Sequence, residues 1–85
     1  MNLHTINSLI NNSTWLDNEK QVVFQFSNGK DLSINGKNHI EYHLNSIGKK
    51  TVIQLGPRGK YTVEFINDFT LYLQNDNEKL KLMPE

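Results

Sequence analysis

The sequence predicts an all-β fold: an antiparallel up-and-down meander of seven or eight short strands, closed into a small barrel, with a short N-terminal helix. Three observations carry this. After Trp15, apolar and polar residues alternate with period two through most of the chain, the pattern of antiparallel strands with one dry face. The connections between these runs are short, which makes successive strands hairpin neighbours. A meander of this size has two edges to hide, and closure into a barrel hides both.

The helix comes first. Leu3, Ile6, Leu9 and Ile10 form one apolar stripe at helical spacing. The intervening asparagines are weak helix formers, so the helix is short and ends near Asn11 or Asn12. Next come the strands, whose inward sets are Val22, Phe24 and Phe26, then Leu32 and Ile34, then Ile40, Tyr42 and Leu44. Thr51, Ile53 and Leu55 follow, then Tyr61, Val63 and Phe65, then Phe69, Leu71 and Leu73, and finally Leu80 and Leu82. An eighth strand fits Thr14 to Asp17. The outward faces carry Gln25, Ser33, Glu41, Gln54, Thr62, Glu64, Thr70 and Lys81.

Parity constrains the turns, because a slip of one residue turns a strand inside out. Pairing Phe26 with Leu32 leaves Asn28-Gly29-Lys30 as a loop, and pairing Ile34 with Ile40 leaves Gly36-Lys37-Asn38. Leu44 against Thr51 leaves Ile47-Gly48, and Leu55 against Tyr61 leaves Pro57-Arg58-Gly59. Leu73 against Leu80 leaves the polar loop Asn75 to Glu78. The hairpin through Ile66-Asn67-Asp68 breaks parity and needs a bulge or a three-residue loop.

Composition narrows the function. Eighty-five residues make one domain over 1–85, with the helix in 1–12 and the meander in 14–83. There is no cysteine, so disulfides and thiol catalysis are excluded. Nine basic residues balance nine acidic ones. This balance argues against a nucleic-acid partner, which clustered positive charge would serve. No apolar run approaches the roughly 18 residues of a membrane span, and no secretory signal is seen at the N-terminus. The expected location is cytoplasmic, with no membrane partner and no cofactor.

Trp15 in "NSTWLD", followed by "FQFSNGKDLSING" and "YTVEFINDFTLYL", resembles the lipocalin-like group of calycin barrels. Trp15 stands where the family has the tryptophan of its Gly-x-Trp motif, although Ser13 replaces the glycine. The resemblance spans nearly the whole chain, and its motifs are short and generic. It implies a meander barrel entered behind a short helix, with the tryptophan closing one end. It also implies a small apolar ligand, although lipocalin chains are nearly twice as long.

His39, Glu41 and His43 alternate with Ile40, Tyr42 and Leu44, so they face outward. The expected register sets Asp31 across from His43, Asn35 across from His39, and Val52 on the other side of His43. A three-ligand zinc site on this patch meets one obstacle: the two histidines lie about 13 Å apart along the strand. The patch reads as a solvated face or a partner contact that binds metal weakly. "GPRGKY" lacks the Gly-Lys-Ser/Thr ending of a phosphate loop, and "NDNEK" lacks the spacing of a calcium loop. No serine–histidine–carboxylate set or paired carboxylate in a cleft marks a catalyst.

Two non-enzymatic functions follow. One is a carrier of a small apolar ligand, using Trp15, Tyr42 and Tyr61 around a shallow pocket at one barrel mouth. The other is a protein-interaction or self-associating domain using the outer face around Asp31, His39, Glu41 and His43. Large inward side chains favour a barrel mostly filled by itself.

Overall fold

The computed structural model describes residues 3–27, 29–67 and 69–85, with the side chains of Leu3, His4 and Asn38 outside that description. Helix α1 (Leu3–Ile10) leads into eight strands: β1 (Ser13–Asp17), β2 (Val22–Ser27), β3 (Asp31–Ile34), β4 (Asn38–Ile47), β5 (Lys50–Leu55), β6 (Lys60–Asn67), β7 (Thr70–Gln74) and β8 (Lys79–Pro84). Each pairs antiparallel with its sequence neighbours, and β1 closes the barrel against β8. The eighth strand is therefore required: Trp15 lies across from Phe24 on one side and Pro84 on the other.

The inward faces follow the alternation. Phe24, Phe26, Leu32, Tyr42, Ile53, Leu55, Leu71, Leu73 and Leu82 are all less than 2 % exposed. Ile6 and Ile10 of the helix are buried with them. In an up-and-down barrel successive connections alternate ends. The helix therefore shares one end with the β2–β3, β4–β5 and β6–β7 turns. The opposite end is closed by the remaining turns, where the Arg58 guanidinium lies 5.9 Å from the Phe24 ring centroid.

Three registers differ from expectation by two residues each, which preserves every face. Ile40 lies across from Leu32 rather than Ile34. Asn35 and Gly36 both have positive φ (55° and 73°), and the Lys37 N–H donates to the Ile34 carbonyl. Asn-Gly is the pair that a tight hairpin turn with two left-handed residues demands, and it pulls the turn toward β3. Asn35 also extends the β2–β3 ladder. Its N–H donates to the Val23 carbonyl, and its Oδ1 accepts from the Val23 N–H, both at 2.8 Å.

Leu44 lies across from Ile53 rather than Thr51, so the turn is Gly48-Lys49. Gly48 has φ 63°, and its place as first central residue matches the glycine-first hairpin turn. Tyr61 lies across from Ile53 rather than Leu55. Gly56–Arg58 forms a 3-10 turn there, closed by hydrogen bonds from the Leu55 N–H to the Gly59 carbonyl and from the Gly59 N–H to the Gly56 carbonyl.

The expected pairings of Phe26 with Leu32 and Leu73 with Leu80 are present, as is the irregularity between Phe65 and Asn67. Asn28 and Asp68, placed in loops by the sequence, lie outside the described residues. Phe69 is the exception to the inward list, at 71 % exposure. Strand β7 starts only at Thr70. Phe69 belongs to a turn in which its N–H donates to Asn67 Oδ1 at 2.7 Å, above the barrel rim. No helix of the described residues is long and apolar enough to cross a membrane.

Candidate functional site

Trp15 is buried and ties the helix to the barrel. Its indole N–H donates to Ser13 Oγ at 2.8 Å, and the Ser13 hydroxyl donates to the carbonyl of Ile10 at the end of α1. Ser13 thus makes a link that a glycine at this position could not make. Trp15 also meets Phe65 edge-on, with ring centroids 5.8 Å apart.

Tyr42 is fully buried against Phe26, with centroids 4.9 Å apart. Its hydroxyl donates to Asn11 Oδ1 at 2.7 Å, just beyond the helix. Burial, followed by the nearby Asp31 carboxylate, pushes its phenol above the ordinary value of 10.0. Tyr61 lies at the opposite end, with the polar side chains of Asn75 and Glu78 of the β7–β8 loop beside its phenol. Burial and then the Glu78 carboxylate raise its phenol as well, with Arg58 acting in the other direction. Glu78 in turn faces Lys20 at 3.8 Å. Trp15 and Tyr42 therefore share the helix-bearing end, while Tyr61 does not.

An open depression of about 310 Å³ does occupy the helix-bearing mouth. Ile6, Val63 and Phe65 supply its apolar lining, Thr51 and Thr62 its hydroxyls, and Lys49, Lys50 and Glu64 its charges, so that it runs over the rim onto the outer face of β6. Neither Tyr42 nor Tyr61 borders it, in contrast to the shallow pocket expected from the sequence. The Tyr42 hydroxyl is instead engaged by Asn11.

On the outer face, His39, Glu41 and His43 are exposed on β4. His43 Nε2 and Glu41 Oε2 are 3.5 Å apart, each side chain 68 % exposed. The shifted register corrects their expected neighbours. Asp31 lies across from Glu41 and Ser33 across from His39, while Gln54 rather than Val52 lies across from His43. Two carboxylates thus stand directly opposite on neighbouring strands, an unfavourable pairing, with His43 beside them. Among the described residues, no group of three or more histidine or acidic side chains is placed to hold a metal ion.

A further surface went unread in the sequence. Leu16, Val23 and Met83 lie side by side on the outside of β1, β2 and β8. The available signal was the parity of Thr14 to Asp17, which turns Leu16 outward once that strand is counted as closing the barrel.

Comparison with protein-family models, with curated proteins and with solved structures finds no match to this chain.

Proposed function

We propose that this chain is a non-enzymatic interaction module, lipocalin-like in architecture and cytoplasmic, that works through the outside of its barrel. The observation supporting this reading is the filled interior. Phe24, Phe26, Leu32, Tyr42, Ile53 and Leu71 meet inside the barrel with almost no exposed surface. An eight-stranded barrel has an interior just wide enough for side chains or for one small ligand. Close packing leaves a buried ligand no room unless side chains move, and forcing extra volume into such a core costs about 1–3 kcal/mol. The solvent-facing set of Asp31, His39, Glu41 and His43 remains available for polar contacts with a partner. The lipocalin-like assignment draws support from the closed eight-stranded meander and from the buried Trp15 behind the helix.

A second reading, a carrier of a small apolar ligand, is favoured by the mouth depression. Its volume of about 310 Å³ lies at the lower end of usual ligand sites, and Trp15 backs its lining through Phe65. Titration with an environment-sensitive apolar dye separates the two. The interaction reading expects no saturable one-to-one binding. Stoichiometric binding that Val63→Trp abolishes would replace it with the carrier.

A further inference from the structure

We infer that the outer face of β8, β1 and β2 docks a second copy of this chain through the apolar row of Val23, Leu16 and Met83. This rests on the proposal that the barrel works from its outside, and names the face and the partner. Leu16 lies directly across from Val23 on one side and Met83 on the other. Their inward neighbours Trp15, Phe24 and Leu82 are buried, so all three point away from the core. Neighbouring strands are about 4.8 Å apart, which makes the row continuous. Met83 is 37 % exposed, and Leu16 and Val23 are half-buried by their surroundings. Continuing the β7–β8 register one step beyond Leu71 and Leu82 sets Thr70 beside Met83. Beyond it lies the β6–β7 hairpin with its exposed Ile66 and Phe69.

The occupant follows from the charges around the row. A closed barrel offers no free sheet edge for strand addition, so a partner must take a face. Along the outside of β8 and just past it, the residues run Lys79, Lys81, Met83, Glu85. Lys79 is held over the Tyr72 ring, with its Nζ 4.3 Å from the centroid. Lys81 and Glu85 have no side-chain partner among the described residues and flank Met83 with opposite charge. A two-fold axis through Met83, with the β8 strands antiparallel, brings Lys81 of each copy against Glu85 of the other. Such a face is complementary to itself, as a two-fold interface requires. The formal net charge of zero leaves no global repulsion between copies. A row of three partly exposed apolar side chains makes a small contact beside the roughly 800 Å² per partner of a standard interface, so the dimer belongs to the weak, transient class.

Sedimentation equilibrium from about 10 μM to about 1 mM reads this association. The wild-type chain is expected to pass from monomer to dimer across the range. Met83→Glu and, separately, Lys81→Glu weaken the dimer about tenfold or more, because each sets like or desolvated charge into the contact. Lys81→Glu combined with Glu85→Lys restores it. Lys37→Glu, which makes the same charge change in the β3–β4 turn, leaves it unaltered. A wild-type chain that stays monomeric, or one whose association ignores Met83→Glu or falls equally with Lys37→Glu, overturns the inference. Association that survives Met83→Glu leaves the outer-surface reading standing. Only saturable dye binding inside the barrel removes that broader reading.

Discussion

Replacing Ile10 by alanine tests whether α1 is part of the cooperative fold. Ile10 is the last residue of the helix and is 0 % exposed. The substitution removes three carbons, worth about 0.8 kcal/mol each in transfer out of water, or roughly 2.4 kcal/mol. The space left behind adds to this, and measured isoleucine-to-alanine losses in cores run about 2–5 kcal/mol. Alanine's better helix propensity returns a few tenths of a kcal/mol at most. The net expectation is a loss of about 3 kcal/mol. For a chain of 85 residues, total stability is of the order of 4–13 kcal/mol, so the loss is a quarter or more of it. At roughly 4–8 °C per kcal/mol for a domain of this size, Tm falls by about 10–25 °C. Thermal unfolding followed by circular dichroism reads the shift, and a urea titration checks that the slope is unchanged. Ser8→Ala, an exposed position on the same helix, serves as the control and leaves Tm unchanged or slightly raised. A Tm for Ile10→Ala within about 3 °C of wild type would show that the helix lies loosely on the mouth. The links through Ser13 and Asn11 would then carry no stability.

Tyr42→Phe deletes the hydrogen bond to Asn11 and is expected to cost about 0.5–1.5 kcal/mol at neutral pH. Both Tyr42 and Tyr61 have phenols raised above 10.0 in the folded protein. The unfolded chain therefore releases those protons first. Their contribution is intact below about pH 10 and is lost as pH rises through the folded values. Tm measured from about pH 8 to about pH 12 should fall on the alkaline side, with a smaller fall in Tyr42→Phe; identical alkaline profiles would rule out Tyr42 as a source. Gly36→Ala places a side chain at φ 73° with no atom within 4 Å of the added carbon, so the cost is purely that of the backbone, about 1–2 kcal/mol. An unchanged Tm would contradict the left-handed turn. Calorimetry with zinc should give only weak heats at the His39, Glu41 and His43 patch, and submicromolar stoichiometric binding lost in His43→Ala would establish a metal site instead.

The inward faces were legible because period two survives any register error of two residues. Leu32, Ile40, Ile53 and Tyr61 point inward whether each meets its expected neighbour or the one two positions along. The turns carried the missing information. Asn35-Gly36 states its own geometry, since both residues tolerate positive φ, whereas pairing Ile34 with Ile40 satisfies the same parity and sets the turn past it. Glycine at the first place of Gly48-Lys49 was misplaced in the same way. Phe69 failed for a different reason. Its parity with Leu71 and Leu73 holds only if the strand reaches it, and the Asn67 side chain holds the Phe69 N–H in a turn instead.

These two kinds of legibility bear unequally on function. A filled core needs only the correct face, so the conclusion that the barrel packs its own side chains inward tolerates the register errors. An outer surface needs the correct neighbour, and each two-residue shift changes who stands beside whom. Asp31 lies across from Glu41 rather than His43, which sets two carboxylates opposite one another in place of a carboxylate and an imidazole. Val52 lies across from Asn45 and diagonal to His43, and both still line one small depression with Ile47 and Gln54. Closure by β1 draws Leu16 between Val23 and Met83. The apolar row of Val23, Leu16 and Met83 therefore lies around the barrel from the polar motif on β4. It exists only because a five-residue strand closes the barrel.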